Sequence, residues 1–130
     1  MNPNTFRKHK ILTEYRKLQG KRDSLVIDYC SLLTKLTKVT KPLSPMPPGG
    51  GSDYDEDIEK LANLKQQIQN VTYKMRRIKT AIRMLPNREN FVLYRFYIFG
   101  DSLDRIAKDL GKSYSLICKI KAWGLEKIDL

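Results

Sequence analysis

Between Ile11 and Val39 the apolar positions are Ile11, Tyr15, Leu18, Leu25, Tyr29, Leu32, Leu36 and Val39, spaced alternately by three and four except where Arg22 occupies the stripe. A second stretch repeats the pattern with Ile58, Leu61, Leu64, Ile68, Val71, Met75, Ile78, Ile82 and Leu85. Such a stripe is one face of a helix packed lengthwise on a partner. The spacing therefore predicts an all-α protein that opens with a long antiparallel, coiled-coil-like hairpin: a first helix in 1–40 and a second in 54–85, with Leu36 near Ile58 and Ile11 near Ile82. The first helix would be about 50 Å long. Gly20 inside it costs about 1 kcal/mol relative to Ala and marks a point of bending or division.

The segment 41–53, KPLSPMPPGGGSD, holds four prolines and three consecutive glycines and reads as a linker that reverses the chain. Ser52 with Asp55 then offers a capping box, and the acids Asp53, Asp55, Glu56, Asp57 and Glu59 complement the positive end of the second helix. Helix-start acids account for this run without a metal.

Residues 86–130 carry shorter periods. A helix begins with Pro86 in its first turn, runs through Phe91, Val92, Leu93, Tyr94, Phe96 and Tyr97, and stops at Gly100. Ser102 caps the next helix, whose apolar face is Leu103, Ile106, Ala107 and Leu110; Gly111 then supplies a positive φ for a tight turn. Ser113 caps the last helix, with Ile117, Ile120 and Leu125 inward and Tyr114, Ser115, Cys118, Lys119 and Lys121 outward. Two small helices crossing at Ala107 make a helix-turn-helix, whose second helix enters the DNA major groove. An ordinary all-α core with Gly111 as a routine C-cap is the alternative. In the DNA-binding reading Ser113, Tyr114, Ser115, Cys118, Lys119 and Lys121 address base edges.

Charge supports a nucleic-acid partner. The 130 residues carry a net charge of +11 and a pI near 9.7, and phosphate contacts by Lys and Arg release counterions. Residues 60–88 contain no acid, so Lys74, Arg76, Arg77, Lys79 and Arg83, with Lys112 in the turn, form a phosphate-binding flank. The hairpin register sets these beside Arg7, Lys8, Lys10, Arg16 and Lys17, leaving the far end acidic.

A further row, Leu12, Val26 and Leu33, recurs at sevens beside the main stripe, interrupted by Gln19. That surplus predicts a homodimer joined through the row, with packing on the chain's own C-terminal domain as the other outcome.

The remaining chemistry is sparse. Cys30 and Cys118 have neither CxxC nor Cys/His spacing, and His9 sits in a basic cluster as a solvated side chain. There is no phosphate-binding glycine loop and no metal-ligand pair, so no cofactor, metal site or enzyme is predicted. No apolar run of signal or membrane-spanning character occurs, which predicts a soluble intracellular protein with no membrane partner.

The segment 85–128 resembles region 4 of sigma-70-type factors. The matching elements are Leu85-Pro86, Arg88-Glu89, Val92-Leu93, Phe96-Tyr97, Gly100 with Ser102, Leu103, Ile106-Ala107, Leu110-Gly111, Ser113, Ile120, Leu125 and Ile128, without a gap from Leu103 onward. The resemblance implies a three-helix, sigma region 4-like helix-turn-helix domain. Its outward positions, Tyr114, Ser115, Leu116, Cys118 and Lys119, lack the Arg, Glu and Gln of true sigma factors, which implies a different DNA element. The layout also resembles the phage late-gene transcription regulators of the ArpU and RinA type, with Met46-Pro47, Gly49-Gly50-Gly51 and Ser52-Asp53 in the linker. That resemblance implies double-stranded DNA as partner, activation of a phage late operon for packaging and structural proteins, and the bacterial host cytoplasm. A small terminase subunit, or a sigma mimic that binds host RNA polymerase, are the alternatives.

Overall fold

Apolar side chains at threes and fours wind the described residues into five α-helices. A computed structural model describes residues 2–39 and 51–130; the linker residues 41–50 and the side chains of 39 and 51–53, with them the Ser52 cap, lie outside that description. The helices are α1 (Pro3–Val39), α2 (Gly51–Arg83), α3 (Asn87–Leu93), α4 (Leu103–Leu110) and α5 (Tyr114–Lys127), and a π-helical turn, Tyr94–Ile98, continues α3. No strand occurs among the described residues.

Asn2 caps α1, its side-chain oxygen accepting the Thr5 N–H at 2.8 Å. Gly20 does not end the helix, which is assigned from Pro3 to Val39. The second helix begins at Gly51, three residues inside the segment read as linker, and ends at Arg83. Pro86 stands at the N-cap of α3 with ψ 154°, one position before the first turn.

The described residues form two compact units, Met1–Gln19 with Lys74–Leu130, and Gly20–Tyr73. The boundaries read from the sequence at 40, 53 and 85 are therefore not those of compaction. In Gly20–Tyr73 only two helices meet. Leu36 and Val71 are buried while Leu25, Tyr29, Leu32, Leu61, Leu64 and Ile68 are half-buried and Ile58 is exposed. Lys35 pairs with Asp57 at 3.3 Å across them.

The other unit holds the main core. Tyr15, Met75, Ile78 and Ile82 are buried on the long helices, and Leu85 two residues beyond the end of α2. Val92, Ile106, Ala107, Ile117 and Ile120 form a cluster with Phe96, Leu103 and Leu116 packed against it. Leu12 corrects the oligomerisation row. It is 0% exposed, whereas Val26 and Leu33 are 38% and 42% exposed. The physical reason is the number of neighbours: in this unit α1 is flanked by α2 and by the C-terminal helices, so surface that two helices alone would leave open is covered. Leu110 departs the other way. At the last position of α4 it is 38% exposed, outside the face shared by Ile106 and Ala107.

Close approach is bought by glycine at two places. A Cβ at Gly124 of α5 would stand 2.9 Å from Leu93 Cδ1 and 3.3 Å from Glu89 Cβ, so α5 lies directly on α3. Gly100, at φ +77°, ends the π-helical turn under the Arg16 guanidinium; a Cβ there would push that guanidinium aside, and the left-handed backbone strains any other residue. The Phe99 N–H donates to the Tyr94 carbonyl at 3.2 Å and that of Asp101 to Arg95 at 3.0 Å. Arg95 then ties this turn to α4 through Asp101 at 2.8 Å and Asp109 at 2.7 Å.

Candidate nucleic-acid interface

The α4–α5 pair is fixed by local hydrogen bonds. Ser102 Oγ accepts the Arg105 N–H and Ser113 Oγ that of Leu116, both at 3.2 Å. Gly111 lies at φ 64°, ψ 33°, and its N–H donates to Lys108 while that of Lys112 reaches the Ala107 carbonyl at 3.0 Å. These bonds close the end of α4 and leave only Lys112 and Ser113 between the glycine and α5.

Helix α5 buries Ile117, Ile120, Leu125 and, just beyond its end, Ile128. Its opposite edge is polar. Tyr114 is 55% exposed, Ser115 and Lys119 are exposed, and Cys118 is half-buried. A hydrogen bond between Tyr114 and Cys118, one turn apart, pushes the tyrosine hydroxyl above its ordinary pKa. Ser113 is exposed but its hydroxyl is committed to the cap.

Lys121 does not share that edge. It is half-buried, with its ammonium 4.3 Å from the centre of the Phe96 ring and 5.8 Å from that of Tyr97. Burial lowers its pKa. The spacing carries the explanation: Ile117, Lys121, Gly124 and Ile128 follow one another by four, three and four, so Lys121 lies on the inward stripe. Its cation is spent on aromatic faces.

His9 joins the same cluster, in place of the solvated position read from the sequence. Its Nδ1 lies 2.6 Å from the Tyr97 hydroxyl, and the two rings meet edge to face at 5.6 Å. Burial, and then the Lys121 charge, lower the His9 pKa. Burial raises that of Tyr97. His9, Arg16, Tyr97 and Ser102 border an open groove of about 430 Å³.

The basic flank belongs to the same compact unit as α5. Lys74, Arg76, Arg77 and Arg83 are exposed, as is Lys112. Lys79 is half-buried with its ammonium 5.9 Å from the centre of the Tyr15 ring. From α1, Lys8 is 8% exposed and donates to the Glu126 carbonyl at 3.1 Å, so it serves the end of α5 instead of the basic surface. Arg7 donates to the Leu130 carbonyl at 2.6 Å.

Glu89 stands out as a carboxylate that is 2% exposed. Burial pushes its pKa up, but its own backbone N–H in the first turn of α3 and Lys127, at 3.3 Å, outweigh this and hold it below the ordinary value. Arg88 and Glu89 were visible in the sequence as part of a motif. The Lys127 partner was not, because nothing local links residues 38 apart.

Among the described residues no cluster of His, Cys, Asp and Glu suited to a metal occurs, and no helix is long and apolar enough to cross a membrane. Comparison of the chain with models of protein families, with curated proteins and with solved structures gives no match.

Proposed function

We propose that this chain is a sequence-specific transcriptional regulator that binds double-stranded DNA as a homodimer in the bacterial cytoplasm, and that it activates the late packaging and structural operon of a phage. In this reading α3, α4 and α5 act as a sigma region 4-like helix-turn-helix, and the paired α1 and α2 as a coiled-coil-like hairpin. The observation that supports it most is the division of α5: Ile117, Ile120 and Leu125 are buried while Tyr114, Ser115 and Lys119 stand exposed beside a doubly capped turn. A helix held by one stripe with a polar edge outward is what major-groove readout requires. Tyr114, Ser115, Cys118 and Lys119 address base edges while Ser113, which the sequence set among them, caps the helix that carries them; Lys112, Lys74, Arg76, Arg77 and Arg83 address phosphates, with Lys79 behind them. Lys121 is a positioning residue that fixes α5 on Phe96.

The test is selection of bound duplexes from a random-sequence library, followed by titration of the selected and a scrambled duplex over a series of salt concentrations. Enrichment of one motif, bound on the order of 10³-fold or more tighter than the scrambled duplex, supports the reading. Salt-dependent binding with no preferred sequence overturns it. Binding to RNA polymerase without DNA selectivity replaces it with the sigma mimic, and a ring of many subunits replaces it with the terminase subunit.

A further inference from the structure

Among the described residues of the unit Gly20–Tyr73, one face of α1 is exposed at Val26, Ile27, Cys30 and Leu33. Leu25, Tyr29, Leu32 and Leu36 form the covered face. About a quarter turn away, at 100° per residue, run Val26, Cys30 and Leu33, continued by Thr37. Val26 is 38% exposed, Leu33 is 42% exposed, Cys30 is an exposed thiol, and Ile27 at the edge of the row is 65% exposed. Spacing by four, three and four is that of a helix seam. A groove of about 350 Å³ lined by Leu33, Thr34, Thr37 and Lys38 continues the row.

The geometry points to a second copy of this chain on that face, in an antiparallel pair of α1 helices whose two-fold axis passes between Cys30 and Leu33, the midpoint about which the row Val26, Cys30, Leu33 and Thr37 is symmetric. This rests on the homodimer of the preceding reading and adds its surface, its direction and its axis.

Charge selects the direction. Asp23 precedes Cys30 by seven residues and so extends the row; its contact with Arg22, at 3.8 Å, leaves it 63% exposed. In a parallel pair each Asp23 would face the Asp23 of the second copy, like charges across an apolar seam. In an antiparallel pair with the row facing itself, Val26 falls opposite Thr37 and Cys30 opposite Leu33, and Asp23 lies two residues, about 3 Å along the helix, from Lys38. Asp23, Ile27, Thr34 and Lys38 all lie on the same edge of the row, and an antiparallel pair brings like edges together. Each Asp23 then meets a Lys38, and each Ile27 a Thr34, twice over by symmetry. The segment from Asp23 to Lys38 is about 24 Å of helix, enough to carry the whole row. The two Cys30 thiols, on either side of the axis, lie about 4.5 Å apart along the helix.

The experiment uses the full chain carrying Cys118→Ser, so that Cys30 is its only thiol. A short bifunctional maleimide is expected to join two chains at Cys30. Sedimentation of Leu33→Asp, with its helical content checked by circular dichroism, is expected to show a dimer dissociation constant raised at least about a hundredfold. Asp23→Lys is expected to weaken the dimer about tenfold, and Asp23→Lys combined with Lys38→Asp to restore it. A wild-type protein that sediments as a monomer at micromolar concentration overturns both the homodimer and this face. A dimer that survives Leu33→Asp and gives no product at Cys30 overturns this face alone. Cross-linking at Cys30 with no rescue by the charge exchange overturns the antiparallel direction.

Discussion

His9 Nδ1 and the Tyr97 hydroxyl share a hydrogen bond of 2.6 Å although the residues are 88 apart in sequence. The bond joins the start of α1 to the π-helical turn behind α4, and thereby braces the aromatic platform on which Lys121 rests. Tyr97→Phe keeps the ring and removes the bond, and should cost about 1 kcal/mol of stability in urea denaturation. The pH response has a defined sign. The folded-state pKa of His9 is below the ordinary imidazole value of 6.5, so the unfolded chain takes up the proton first. His9 therefore contributes stability that is present above 6.5 and lost as the pH falls toward the lower folded value. His9→Gln should flatten that part of the stability curve; an unchanged slope would assign it to other groups.

Two glycines should answer the same substitution with opposite signs. Gly20→Ala adds a Cβ that meets nothing within 4 Å and should stabilise the chain by about 1 kcal/mol through helix propensity. At Gly124 the same gain is opposed by a Cβ 2.9 Å from Leu93 Cδ1, an overpacking worth about 1–3 kcal/mol. Gly124→Ala should thus be net destabilising, and thermal unfolding of the two variants reads both signs directly.

Acid sensitivity should trace to Glu89. Its pKa is held below the ordinary carboxylate value of 4.5, so its contribution is present above that value and lost as the pH falls through the depressed one. Lys127→Met removes the partner of a buried carboxylate and should destabilise by about 1–3 kcal/mol. The double change with Glu89→Gln should recover part of this loss. Denaturation in a double-mutant cycle measures the coupling.

Readout and positioning should separate on α5. Tyr114→Ala or Lys119→Ala should weaken binding to the selected duplex by about 1–3 kcal/mol per lost base contact while leaving scrambled DNA nearly unaffected. Arg76→Ala with Arg77→Ala should weaken both duplexes alike and reduce the salt slope. Lys121→Ala should lower the melting temperature, because its cation rests on Phe96. A reporter silenced by Lys119→Ala with DNA affinity intact would move the function of α5 to RNA polymerase.

Much of the helix content follows from short-range rules, and the reason is visible in where those rules stop. Ser102, Gly111 and Ser113 act within four residues of their own backbone, so identity and position suffice to place them. Periodicity likewise marks Ile117, Ile120 and Leu125 as inward. Leu12 escaped because a heptad row says that a face is apolar, not how many elements reach it. Lys121 escaped because charge was weighed above its place in the stripe of Ile117 and Ile128. The partners of His9, Lys8 and Glu89 depend on chain ends or helices meeting in space, for which one sequence holds no local signal. The π-helical turn, whose extra residue re-aims Phe96 and Tyr97, has no periodic signature strong enough to read.

The bonds from Arg7 to Leu130 and from Lys8 to Glu126 close loops of 123 and 118 residues. Ring closure over such a span carries an entropy that only assembled neighbours can offset, and nonlocal contacts slow an otherwise fast helical protein. During synthesis the first turns of α1 leave the ribosome long before α5 exists. Leu12 and Tyr15, buried in the finished unit, lack their full cover until the rest of that unit, residues 74–130, has been made. A segment translated well ahead of its partners is thus folded together with them, and its apolar face stays open on the nascent chain in the meantime.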